Sequence, residues 1–134
     1  MGIFELFGKK ALPLGSAMYN LKVTMHPIRL PSHQHDFVDL EMELTNNTEK
    51  ELLTSVVLRV PSALGFDGTA LSHEREIRLG MLQPLEKKHL KVRAYSTQRT
   101  PKGNYPIEIF AISHYRDYAY IINEVKKRLE LRVV

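Results

Sequence analysis

From Asn20 to the C-terminus the sequence alternates between apolar and polar residues with a period of two. Leu21, Val23 and Met25 alternate with Lys22 and Thr24, and Val38, Leu40, Met42 and Leu44 alternate with Asp39, Glu41 and Glu43. Leu90, Val92 and Ala94 are set against His89, Lys91, Arg93 and Tyr95, and Leu129, Leu131 and Val133 against Arg128, Glu130 and Arg132. Successive side chains of an extended chain point to opposite faces, so each run is a strand with one buried side. Between the runs lie turn formers: TNNTEK over 45–50, Pro61 followed by SALGFDGTA, and TQRTPKG over 97–103. In Asn46-Asn47-Thr48 the asparagines suit a turn because Asn tolerates left-handed backbone angles. The pattern predicts an all-β sandwich of about seven antiparallel strands over 18–134, preceded by an N-terminal segment, 1–17, that is amphipathic or flexible. A short helix before the last strand is the alternative in DYAYIINEVKKRL, where Ile121, Val125 and Leu129 recur four apart.

Three phrases, ELTNNTEKELLTSVVLRVP, IRLGMLQPLEKKHLKVRAYS and GNYPIEIFAI, resemble the immunoglobulin-like sandwich found in prokaryotes. The nearest type is the cell-adhesion-related domain of bacteria and archaea. The likeness lies in a strand ending in Asn-Asn-Thr, a strand ending at Pro61, and a turn with Leu82 and Pro84 before an alternating strand. The chain departs from that type at Leu85, where glycine is usual. The resemblance implies that Tyr105, two residues after Gly103, is a corner tyrosine bonded to the preceding loop. It places Ile107 where disulfide-bonded relatives have their second cysteine, so an apolar pair replaces the bridge. It also implies that the strand carrying Lys91 and Arg93 pairs with the strand carrying Asp39, Glu41 and Glu43, outward charges opposite one another.

Composition excludes several classes. The 134 residues suit one domain, and the absence of cysteine excludes disulfides, thiolate metal sites and thiol nucleophiles. No apolar run approaches the roughly 20 residues of a membrane span. In MGIFELFGKK the charges follow the apolar residues, unlike a secretory signal, and Leu6 stands where a myristoylation site has Ser or Thr. The chain therefore reads as cytoplasmic. Charge is uneven: residues 1–67 carry six Lys/Arg and eight Asp/Glu, residues 68–134 thirteen and seven. The basic run Lys87, Lys88, His89, Lys91 and Arg93 suggests a phosphate stripe. Pairing with the acidic strand would cancel much of its field, and the interleaved aromatics of a single-strand binder are missing, so nucleic acid is disfavoured. His26, His33 and His35 form the only plausible metal constellation, and without a clear fourth ligand no metal or other cofactor is expected. Ser113, His114 and Asp117 supply the residue types of a nucleophilic set. However, neighbours on a strand face opposite ways and no nucleophile elbow surrounds them, so no enzyme is expected.

The positive signal is a strand apolar on both faces. In YPIEIFAISHY, Ile107, Ile109 and Ala111 point one way and Phe110 and Ile112 the other; Val57, beside Val56 and Leu58, repeats this. Only one face of a sandwich sheet looks into the core, so the second needs a cover, either the N-terminal Ile3, Phe4, Leu6 and Phe7 or a second subunit. The segment HYRDYAYI gathers Tyr115, Tyr118 and Tyr120 near Arg116, either as a recognition loop or as ordinary strand tyrosines. The expected function is a non-catalytic protein-binding or assembly module, a homodimer, with contacts through Val57, Phe110, Ile112, Tyr115, Arg116, Tyr118 and Tyr120. The alternatives are a nucleic-acid-binding sandwich using the basic C-terminal half and a peripheral membrane protein held through residues 3–10.

Overall fold

The computed structural model describes residues 18–134. The expected cover by residues 3–7 and the anchor at 3–10 lie outside the described residues. Eight strands are present: β1 (Tyr19–His26), β2 (Arg29–Leu30), β3 (Asp36–Asn46), β4 (Leu52–Arg59), β5 (Glu74–Leu82), β6 (Lys87–Ser96), β7 (Gly103–His114) and β8 (Ile121–Val133). They form a three-stranded sheet, β1-β3-β6, and a five-stranded sheet, β2-β8-β7-β4-β5. All pairings are antiparallel except that of the two-residue β2 with the end of β8.

The alternation closes the sandwich. Val38, Leu40, Met42 and Leu44 of β3 meet Val56 and Leu58 of β4 and Ile107, Ile109 and Ala111 of β7 in one buried core. Each large side chain among these stabilises the fold by roughly 1.5–3 kcal/mol. Tyr105 Oη donates to the carbonyl of Pro101 at 2.6 Å, the expected corner. On the three-stranded sheet the acidic and basic strands are neighbours: Asp39 lies opposite Arg93, Glu41 opposite Lys91 and Glu43 opposite His89. Arg93 Nε reaches Asp39 Oδ1 at 2.9 Å, and this bond, first among several contacts, raises the guanidinium above its ordinary value.

Three details bear on what the sequence leads one to expect. No helix forms among the described residues; Ile121–Val133 runs as a strand along β7. A spacing of four is also a multiple of two, so Ile121, Val125 and Leu129 suit a strand once β7 offers a partner. Asn46 turns the chain through its side chain, not through a left-handed backbone: its Nδ2 donates to the carbonyls of Lys50 and Leu82, and its Oδ1 accepts from the backbone N–H and hydroxyl of Thr48. Leu85 adopts φ 62°, which explains the usual glycine at that position.

The outer face of the five-stranded sheet as candidate functional site

Register fixes which side chains share the face turned away from the core. The central row is Glu76, Val57, Phe110 and Lys126, taken across β5, β4, β7 and β8. Below it lie Glu74, Arg59, Glu108 and Arg128, and above it Arg78, Ser55, Ile112 and Glu124. A fourth row, Met81, Leu53, His114 and Ile121, ends the face. The pairing between β4 and β5 slips between Thr54 and Ser55, opposite Gly80 at φ 76°. Glycine reaches this conformation without the Cβ penalty, and the slip keeps both Met81 and Arg78 in line with the outer face.

A groove of about 280 Å³ crosses these rows, with Val57, Phe110 and Ile112 among its lining. Its upper end is built from a polar cluster. Ser55 Oγ and His114 Nε2 are 2.7 Å apart, with Ser55 fully buried and His114 6% exposed. The Tyr118 ring meets His114 edge-on at 5.0 Å, and its Oη accepts the Gly80 N–H at 2.9 Å. The Arg78 guanidinium lies 4.7 Å above the same ring. Lower down, Arg59 and Lys126 lean over Phe110 at 5.2 and 5.7 Å. Lys126 Nζ also binds Glu108 at 3.0 Å; with the nearby charges of Lys126, Arg128 and Arg59, this bond holds the Glu108 carboxyl below its ordinary value.

Of the residues expected to make contacts, Val57, Phe110, Ile112 and Tyr118 come together in this groove. Tyr115, Arg116 and Tyr120 lie in the β7–β8 turn and do not line it; Arg116 stacks 5.1 Å from the Tyr115 ring. Ile112 is only 9% exposed and Phe110 is half-buried, so the chain's own side chains already cover much of this face. Parity within one strand reveals direction but not what the neighbouring strands and the hairpin lay over it. Ser55 and His114 were not foreseen as a pair. The signal was present in part, since each shares the parity of the outward residues Val57 and Ile112.

Ser113 and His114 indeed point apart: the Ser113 hydroxyl donates to the Met18 sulfur, and Asp117 accepts from the Ala119 N–H instead of orienting His114. The three histidines considered for metal do not converge. His26 ends β1 opposite Asp39, His33 Nδ1 lies 3.2 Å from the Gln98 carbonyl, and His35 is exposed. Among the described residues no three metal-binding side chains gather.

Two mainly antiparallel sheets packed around one core, with a tyrosine corner at the start of β7, define an immunoglobulin-like β-sandwich. Solved structures of the same build match it. The CARDB domain of a Pyrococcus furiosus protein, solved with di-metal ions, superposes with a TM-score of 0.55 at 15% identity, covering 87% of each chain. Native alpha-2-macroglobulin from Escherichia coli, from domain MG7 to the C-terminus, gives a TM-score of 0.59 at 16% identity over 86% of this chain. The chain corresponds to only 16% of that structure's length. A protein that catalyses macrocyclization in alchivemycin A biosynthesis gives 0.57 at 10% identity, covering 87% of this chain and 88% of its own. No protein-family model and no curated protein matches the sequence.

Proposed function

We propose that this sandwich is a non-catalytic protein-binding or assembly module whose contact surface is the outer face of the five-stranded sheet. The groove floored by Val57, Phe110 and Ile112 carries the reading. It is concave, with an apolar floor rimmed by charges that fix orientation, as contact surfaces are. The Tyr118–His114–Ser55 cluster holds one end of it in shape before any partner arrives. The same cluster argues against catalysis. A working nucleophile needs an exposed hydroxyl and a base oriented by a third group, whereas Ser55 is buried and His114 Nδ1 has no hydrogen-bond partner among the described residues. Structures of the same architecture include both a CARDB domain and a protein that catalyses macrocyclization, so the site, not the fold, decides.

The test is photocrosslinking in cells from a probe placed at Glu76, comparing the wild-type face with Phe110→Asp. A crosslinked product that forms with the first and vanishes with the second supports the reading, provided the Phe110→Asp protein keeps a cooperative unfolding transition. Products unchanged by Phe110→Asp would overturn it. A second reading, contact with a membrane surface, is favoured by the exposed Tyr115, Tyr120, Ile121 and Ile122 at the end of the sandwich where Met18 enters beside Asn47. Flotation with phosphatidylserine vesicles that is abolished by Ile121→Glu would support it, and absence of flotation would remove it.

A further inference from the structure

The charges on this face follow an order across the sheet. Down the β5 column they read Arg78, Glu76, Glu74, and down the β8 column, in the same rows, Glu124, Lys126, Arg128. Every position on one outer column thus faces its opposite charge on the other. The inner columns continue the pattern in the bottom row, with Arg59 on β4 and Glu108 on β7. These four rows carry four cations, Arg59, Arg78, Lys126 and Arg128, and four carboxylates, Glu74, Glu76, Glu108 and Glu124, so together they are neutral. The remaining row is apolar at both edges, Met81 on β5 and Ile121 on β8, and these are 50% and 61% exposed.

We infer that the partner of this face is a second copy of the chain, docked face to face about a twofold axis running parallel to the strands. The inference rests on reading the face as a contact surface. Rotation about such an axis keeps every row at its height and exchanges the columns, so β5 lies over the partner's β8 and β4 over the partner's β7. Each side then sets Glu74 against Arg128, Glu76 against Lys126, Arg78 against Glu124 and Arg59 against Glu108. Met81 meets Ile121, Val57 meets Phe110, and no like charges oppose one another. Rotation about the other in-plane axis, across the strands and through the central row, sets Glu76 on Glu76 and Lys126 on Lys126. It also lays Arg59 and Glu108 over Ser55 and Ile112. Charge therefore selects one axis, and a twofold interface is self-complementary in this sense. Four columns about 4.8 Å apart and four rows about 6.7 Å apart span roughly 500 Å² in projection. That is the scale of a standard interface, about 800 Å² of accessible surface per partner.

Charge exchange tests the arrangement by sedimentation of the full chain. Wild type is expected to dimerise, and Glu76→Lys and Lys126→Glu are each expected to weaken the dimer about tenfold or more, since each sets like charges together twice. The double variant E76K/K126E restores opposite pairs and regains the dimer. An equimolar mixture of the two single variants forms a heterodimer in which every such pair is again opposite. The axis across the strands predicts no loss in either single variant, because it already opposes like with like. A wild type that stays monomeric up to about 1 mM, the weak end of specific association, would overturn the inference. So would single variants that leave the dimer intact, or a double variant and mixture that fail to restore it. If Lys126→Glu fails to fold beside Glu108, the pair Glu74→Lys and Arg128→Glu tests the same geometry one row lower. The two readings fail differently. A monomer that still gives a Phe110-dependent crosslink to another protein loses the second copy but keeps the contact face, and one without such a crosslink loses both.

Discussion

Ser55 and His114 form the most consequential polar contact beneath the outer face, and deleting it has a calculable cost. Their 2.7 Å bond joins two strands at positions 59 residues apart, and almost no solvent reaches either side chain. Among the described residues, Ser55→Ala removes the only hydrogen-bond partner of the imidazole, since Nδ1 has none there. A buried polar group left without a hydrogen bond costs about 1–3 kcal/mol, so a loss of about 2 kcal/mol is expected. At about 2.1 cal/mol/K of unfolding entropy per residue, the 117 residues from 18 to 134 convert this into a fall in Tm of about 8 °C. His114→Phe keeps a ring against Tyr118 but strands the Ser55 hydroxyl, at a cost of similar size. The double variant removes both polar groups together and should be less destabilised than the sum by about 1 kcal/mol or more. Urea unfolding of the four proteins at matched concentration measures this cycle. Strict additivity, within about 0.5 kcal/mol, would show that the two side chains do not meet and that the β4–β7 register is wrong.

Two further outcomes test the frame that presents the face. Tyr105→Phe retains the ring but loses the donor to the Pro101 carbonyl, and should lower stability by about 1 kcal/mol, read as an earlier urea midpoint with an unchanged slope. Exchanging the ladder charges, Asp39→Arg alone or Arg93→Asp alone should lower the midpoint while the double exchange recovers most of the loss; independent effects would mean that β3 and β6 are not neighbours.

The sequence discloses this fold to the extent that each strand repeats in steps of two. The buried stripes of β3, β6 and β7, the corner at Tyr105 and the opposition of Asp39 and Arg93 all follow from alternation combined with one resemblance. The hidden elements lack a buried stripe. β5 is mostly solvent-exposed along its length, so in the sequence only Ile77 and Leu79 mark it as a strand and Glu74, Arg75, Glu76 and Arg78 trace no stripe, and β2 is too short to alternate at all. The face itself was half legible. Parity assigned Val57, Phe110 and Ile112 to one side, because parity is local. The meeting of Ser55 with His114, and the mirrored charges of β5 and β8, depend on how four strands are aligned. That alignment is set by the core and by the slip opposite Gly80, neither of which a single strand contains.

The sheet edges give a physical reason for proposing a face, and not an edge, as the contact surface. Beyond Arg132 and Val133, which pair with β2, the outer edge of β8 has no strand beside it among the described residues. An open edge of that length invites another chain to add a strand. Lys127 blocks this: it pairs with Ile109, whose side chain is wholly buried, so the lysine has inward parity yet stays exposed. Continuing the sheet past β8 would bury that charge against the partner strand's apolar side, an unpaired ion in a low-dielectric setting. The opposite edge, β5, is interrupted by the slip at Gly80, which breaks the even ladder an added strand would need. The outer face of the three-stranded sheet is occupied by its own ladder, with Asp39 and Glu43 bound to Lys91, Arg93, His89 and Lys22. The outer face of the five-stranded sheet differs in having an apolar floor beneath its charges. On the proposed reading, recognition there would pass through side chains and not through backbone hydrogen bonds, so single charge reversals would change the partner selected without dismantling the sheet that presents them.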